Sequence, residues 1–150
     1  MVIRNSAKAI IIHENKLLVT KLEDSEGIFY LLPGGGQHAG ENLHQTLRRE
    51  CMEEVGLEVE VGELAYIREC FRDEGIHRVE FMFSCKIDAR THSEIIDSMG
   101  TSLDDDQIGI EWIPLEELKS QPLFPVTLRE LIVQHEGNEK QRPIYLGEIE

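Results

Sequence analysis

Apolar positions along the chain follow two periods, and each period marks a kind of element. Residues 9–12 form a short apolar run, Glu14-Asn15 reads as a turn, and residues 16–22 are rich in Leu and Val, which predicts two tightly joined strands. Residues 29–32 make a further short strand, stopped by Pro33-Gly34-Gly35-Gly36. Residues 42–55 contain neither Gly nor Pro and place Leu43, Leu47, Cys51 and Val55 at successive i+4 steps, so one apolar stripe runs along a helix of about four turns. Asn42 suits the N-cap, Gln45 three residues on completes a capping box, and Gly56 marks the stop.

After the helix the period falls to two. Leu57, Val59 and Val61 alternate with Glu58, Glu60 and Gly62, and Val79, Phe81, Phe83, Cys85 and Ile87 alternate over a longer stretch, the pattern of half-buried strands. Residues 88–106 are polar without a period and read as an irregular loop, and residues 110–113 form a short strand ending at Pro114, which opens a brief helix through Leu118. Residues 127–135 carry Leu128, Leu131 and Ile132 at helical spacing, ahead of a polar tail and the apolar residues 144–149. With no repeat and no linker, residues 1–150 read as one domain. Strands interleaved with two substantial helices predict an α/β (α+β) fold with a mixed sheet between helical layers.

Composition narrows the functions open to such a domain. Fifteen Lys and Arg against 29 Asp and Glu leave a formal charge of −14, so the averaged field repels phosphate polyanions and argues against duplex nucleic acid as a partner. Cys51, Cys70 and Cys85 are odd in number and widely spaced, which disfavours a disulfide framework and a zinc knuckle. No window approaches a membrane span and the first residues lack a signal pattern, so the expectation is a cytoplasmic protein without membrane contact.

The chemistry gathers between the glycine turn and the end of the first helix. With about 100° per residue, Glu54 lies about 40° to one side of Glu50 and Glu53 about 60° to the other, so three carboxylates share one arc on a single turn. Anions so close repel, and a divalent cation relieves that repulsion; oxygen-only donors select Mg²⁺ first and Mn²⁺ next. The same helix taken alone reads first as a solvated face, with an Arg49–Glu53 pair of small value, because charge on an exposed helix face is common.

The full spacing decides between these. Gly35, five residues, Glu41, seven residues, then Arg49-Glu50-Cys51-Met52-Glu53-Glu54-Val55-Gly56-Leu57 is similar to the Nudix box, GX5EX7REUXEEXGU, at every fixed position. At roughly 5–7% usage per residue type, seven fixed positions coincide by chance about a few times in 10⁹ starts. Cys51 stands where a bulky aliphatic is usual, a change of packing more than of chemistry.

The resemblance implies a Nudix-like α/β/α sandwich and Mg²⁺-dependent hydrolysis of a nucleoside diphosphate linked to another moiety. It implies that Glu50, Glu53 and Glu54, with the carbonyl near Gly35, hold the metal, and that Glu41 and Arg49 form a supporting ion pair. Glu53 and Glu54 are the catalytic candidates. The general base is either Glu53 or an acid among Asp104, Asp105 and Asp106, and a solvated loop tip is an equal reading of that triplet. A nucleotide-sensing module that keeps the fold without catalysis is the alternative function.

On the substrate side, Arg4, Arg68, Arg72, His77 and Arg78 lie near strand ends, and Tyr30, Tyr66 and Phe71 offer rings for stacking; surface charge and core packing are the competing readings. The six histidines show no paired spacing and read as scattered surface or satisfied side chains, His38 beside the glycine turn being the one nearest the chemistry. The partner is a small nucleotide substrate, and the apolar tail Ile144-Tyr145-Leu146-Gly147 leaves a homodimer open.

Overall fold

The computed structural model describes residues 1–87, 107–135 and 143–150. Eight strands and two α-helices appear in them: β1 (Val2–His13), β2 (Lys16–Asp24), β3 (Gly27–Leu31), β4 (Gly34–Gly36), α1 (Leu43–Val55), β5 (Glu60–Cys70), β6 (Ile76–Lys86), β7 (Gln107–Pro114), α2 (Leu128–His135) and β8 (Ile144–Glu148). A 3₁₀ helix, Leu115–Ser120, follows Pro114. The stretch 88–106, read from sequence as a loop, lies outside the described residues.

The sheet is mixed, as the pattern of elements predicts. Its order is β3-β2-β1-β6-β5-β8, with β4 pairing β1 and β7 pairing β2. β1 runs parallel to β6 and β5 parallel to β8, and the other pairings are antiparallel. The turn between β1 and β2 holds Glu14 and Asn15 at φ 50° and 61°, the left-handed pair that suits the twist of a two-residue hairpin.

Alternation along the central strands separates two cores. On one face Ala7, Ala9 and Ile11 of β1 and Phe83 and Cys85 of β6 pack against Leu47, Cys51 and Val55, the stripe of α1. On the other, Ile10, Tyr66 and Met82 pack against Leu118, Leu128 and Ile132 of the 3₁₀ helix and α2. The result is a sheet between helical layers. All three cysteines are buried and free, and burial raises the thiol of Cys85 to about 12.

α1 begins and ends where its sequence dictates. The Asn42 side chain accepts from the Gln45 N–H at 2.9 Å, and Gln45 Oε1 accepts from the Asn42 N–H at 2.8 Å. Gly56 takes φ 69°, and its N–H and that of Leu57 return to carbonyls of the last turn.

Three elements depart from the sequence pattern. β4 consists of three glycines, so it has no side chains from which a period can be read. Leu57 and Val59 are buried, 1% and 4% exposed, yet unpaired; their alternation reports burial over the end of α1, and the strand itself starts at Glu60. The apolar tail forms β8 against the chain's own β5, so its apolar residues have a partner without a second copy.

Because both halves of the capping box are formed, Asn42→Ala is expected to lower unfolding free energy by about 1 kcal/mol, with Asn42→Asp within a few tenths of wild type. Urea unfolding checks this, and an alanine variant as stable as wild type would remove the box as the determinant of where α1 starts.

Candidate active site

Two neighbouring backbones set the site. Gly34, at φ 141°, lies so close to β1 that a Cβ there would stand 2.0 Å from the Ala7 carbonyl oxygen, and at Gly35 a Cβ would stand 2.5 Å from the Glu50 carboxyl carbon. Glycine is therefore required at Gly34 by the approach of the β1 backbone, and at Gly35 it makes room for the Glu50 carboxylate from the middle of α1.

The three helix acids occupy different surroundings. Glu54 is 8% exposed, and its Oε2 accepts from the Gly34 N–H at 3.2 Å. The Glu50 side chain is 15% exposed against Gly35, whereas that of Glu53 is 55% exposed. Behind them, buried Gln107 donates from Nε2 to the Glu54 carbonyl at 3.4 Å, tying β7 to the end of α1.

Arg49 joins the turn to the acids. Its Nε and Nη2 form a fork on Glu41 at 3.1 and 2.7 Å, and Nη2 also donates to the Gly36 carbonyl at 3.0 Å. Nη1 donates to Glu50 at 2.9 Å and to Glu53 at 3.4 Å. All five guanidinium N–H groups thus have acceptors, an arrangement lysine cannot reproduce. Hydrogen bonding to Glu41 raises the Arg49 pKa. The Arg49 bond, with the His38 backbone N–H and the Thr46 hydroxyl, lowers Glu41 from 4.5 to about 2.

Among the described residues no three Asp, Glu, His or Cys side chains already converge as a metal cluster. The donors are nonetheless hard oxygens on one turn: Glu50 against Gly35, Glu54 against Gly34, and Glu53 exposed. By donor chemistry that set suits a hard divalent cation, although the three carboxylates do not converge as they stand.

From Gly35 a cavity of about 650 Å³ opens across the sheet. Its lining includes Arg68, Arg72 and Arg78 from the sequence-derived set, and Lys8, Phe29 and Phe124 beside them. Arg4 and His77 are not among the lining residues, Tyr30 and Tyr66 are core residues, and Phe71 is an exposed ring edge-on to His77. His38 takes part through its backbone N–H. Asp104, Asp105 and Asp106 lie outside the described residues.

Lys8, Phe29 and Phe124 carried weak signals. Lys8 interrupts an apolar run at an inward position, Phe29 precedes the glycine turn, and Phe124 sits between Pro122 and Pro125. Glu80, 5% exposed and bonded to Arg68, shows only as an acid among the aromatics of β6.

A depressed carboxylate contributes stability above its unfolded pKa and loses it as pH falls through its folded value. Glu41 therefore stabilises the fold fully above 4.5, and that contribution fades as pH drops toward 2. Glu41→Gln is expected to be less stable than wild type at neutral pH, the gap narrowing over that window. Urea unfolding across the acid range tests it, and a gap that stays constant with pH would refute the assignment.

The NUDIX domain family model matches residues 2–134. No curated protein matches the chain. Among solved structures, the solution structure of the E. coli ORF135 protein is 22% identical, covers 94% of this chain and 96% of that one, and gives a TM-score of 0.66. A NUDIX hydrolase from Nitrosomonas europaea is 20% identical, with 89% of each chain covered and a TM-score of 0.69. An ADP-ribose pyrophosphatase from Streptococcus suis is 17% identical, with 95% of this chain and 97% of that one covered and a TM-score of 0.60. These likenesses carry the fold, and the family match over nearly the whole chain carries membership: this protein belongs to the Nudix hydrolase family.

Proposed function

We propose that residues 1–150 form one cytoplasmic domain that hydrolyses, with Mg²⁺, the pyrophosphate bond of a nucleoside diphosphate linked to another moiety. Mn²⁺ is the expected substitute metal. The observation that carries this reading is the placement of Glu54 and Glu50 of α1 against Gly34 and Gly35, with Glu53 exposed on the same turn, beside a large cavity lined by charged and aromatic side chains. The ADP-ribose pyrophosphatase among the similar folds is consistent with a substrate of that class.

Glu50, Glu53, Glu54 and the Gly35 carbonyl are assigned to the metal, which when bound offsets diphosphate charge and acidifies water. Arg49 and Glu41 hold the acids in register with the turn and do not touch substrate. Glu53, the most exposed of the three glutamates, is placed to take the proton of the attacking water, whose oxygen bonds to phosphorus as the bridging P–O bond breaks. An acid from residues 104–106 remains the second candidate base. Lys8, Arg72 and Arg78 line the cavity and offer individual contacts to phosphate oxygens; Asp24, Glu26, Asp73, Glu80 and Glu150 line it too, so offsetting the overall −14 charge falls chiefly to the metal when bound. Phe29 and Phe124 give the nucleoside an apolar wall.

The test is a panel of nucleoside triphosphates, nucleotide sugars, ADP-ribose and dinucleotides with Mg²⁺, followed by product release. At least one should be hydrolysed, and EDTA should stop the reaction. Glu53→Gln and Glu54→Gln should each lower kcat by at least about 10²-fold. Titration calorimetry should find Mg²⁺ binding that Glu50→Gln weakens. A nucleotide that raises Tm while no product forms from any substrate would instead favour a sensor without catalysis.

A further inference from the structure

The wall of the cavity away from the glutamates holds a guanidinium that is fixed in place with donors to spare. Arg68 Nε donates to Glu80 at 2.6 Å, and Nη1 donates to the Ile149 carbonyl at 3.0 Å. Both side chains are largely buried, 12% and 7% exposed. Among the described residues no group accepts from Nη2 of Arg68. Glu80 cancels the charge, so what remains is a rigid neutral pair presenting N–H donors to the cavity.

Register locates this pair. On the cavity face Gly36 stands opposite Ser6, Ser6 opposite Glu80, and Glu80 opposite Arg68. Three strand spacings of about 4.8 Å place Arg68 about 14 Å from the glycine turn. A diphosphate held at the turn does not extend that far, so Arg68 meets the group it carries. Phe124 lines the main cavity and also a recess of about 60 Å³ shared with Arg68 and Glu80. Its ring is pinned edge-on by Phe29, with centroids 6.3 Å apart, and has the Arg129 guanidinium carbon 5.2 Å from its centroid.

β8 supplies the second support. The family match ends at residue 134, so β8 lies outside it. This strand and the residue after it are held to Glu69 of β5 by backbone and side chain: the Ile149 N–H donates to the Glu69 carbonyl at 3.0 Å, and the Tyr145 hydroxyl donates to the Glu69 carboxylate, which also meets His77 Nε2 at 2.7 Å. The Ile149 carbonyl that aims Arg68 is thereby held in place.

We propose that Arg68 determines substrate specificity by donating from Nη2 to an oxo group on the edge of a planar base packed against Phe124, so that oxo-bearing nucleosides are preferred over amino-bearing ones. An amino group at that edge sets donor against donor and leaves buried N–H groups unmatched, a cost that separates the two classes. This inference rests on the reading of the cavity as a nucleoside diphosphate site.

The experiment compares inosine and adenosine carried on the same diphosphate, a pair that differs only at that edge. Wild type should favour inosine by about tenfold or more in kcat/KM, chiefly through KM. Arg68→Lys keeps the charge but loses the fork, and the double variant Arg68→Gln/Glu80→Gln removes both charges without orphaning either; in each the preference should vanish. Equal use of the two by wild type, a preference for adenosine, or a preference that survives in a folded variant would overturn the proposal. Should wild type hydrolyse neither, the enzymatic reading is decided by the wider substrate panel, and calorimetry with inosine and adenosine monophosphates decides this inference separately: tighter inosine binding upholds it, equal binding ends it.

Discussion

The fork of Arg49 on Glu41 is the contact on which the site depends. Three carboxylates on one turn of α1, with a fourth at Glu41, would repel one another without a counter-charge fixed among them. Arg49 supplies it while also bonding the Gly36 carbonyl, so one guanidinium neutralises the acids and ties the glycine turn to the helix. The close approach at Gly34 and Gly35 completes the arrangement, because the turn is clamped between the Ala7 carbonyl and the Glu50 carboxylate. Charge and sterics thus fix the same few backbone atoms from opposite sides.

What the sequence revealed follows from which forces act locally. Every determinant of α1, from Asn42 and Gln45 through the apolar stripe to Gly56, lies within the segment it governs, so its bounds could be read directly. The spacing from Gly35 to Leu57 was legible because a turn followed by a helix leaves few ways to bring the same side chains together. β4 was silent because its three residues have no side chains, and Leu57 and Val59 misled because burial against a helix end produces the alternation of a strand. The cavity was harder still. Lys8, Arg68, Phe29 and Phe124 come from four separate segments, and the sheet register brings the first three to one face while the segment after the 3₁₀ helix brings the fourth.

The polarity of one sheet face explains why a cavity exists beside the second core. Ile10, Tyr66 and Met82 lie under the 3₁₀ helix and α2, whereas their neighbours on the same face, Ser6, Lys8, Arg68 and Glu80, are polar. A helix laid over that second group would strand buried charge, so the covering layer stops and the sheet stays open. The boundary between covered and open sheet is therefore set by the period-two pattern of β1, β5 and β6.

The same boundary resolves the apparent conflict between an acidic protein and an anionic ligand. Long-range repulsion from a net charge of −14 acts on the approach of a polyanion, but within a Debye length the local arrangement dominates. There Lys8, Arg72 and Arg78 face the cavity, while Arg68 is neutralised by Glu80 and Arg78 is partly so by Asp73. Asp24, Glu26 and Glu150 line the cavity as well, so it offers separate cationic contacts and not a uniformly positive field, and toward β8 Arg68 keeps direction without net charge. A ligand that is charged at one end and neutral but hydrogen-bonding at the other matches that arrangement, and a uniformly anionic chain does not.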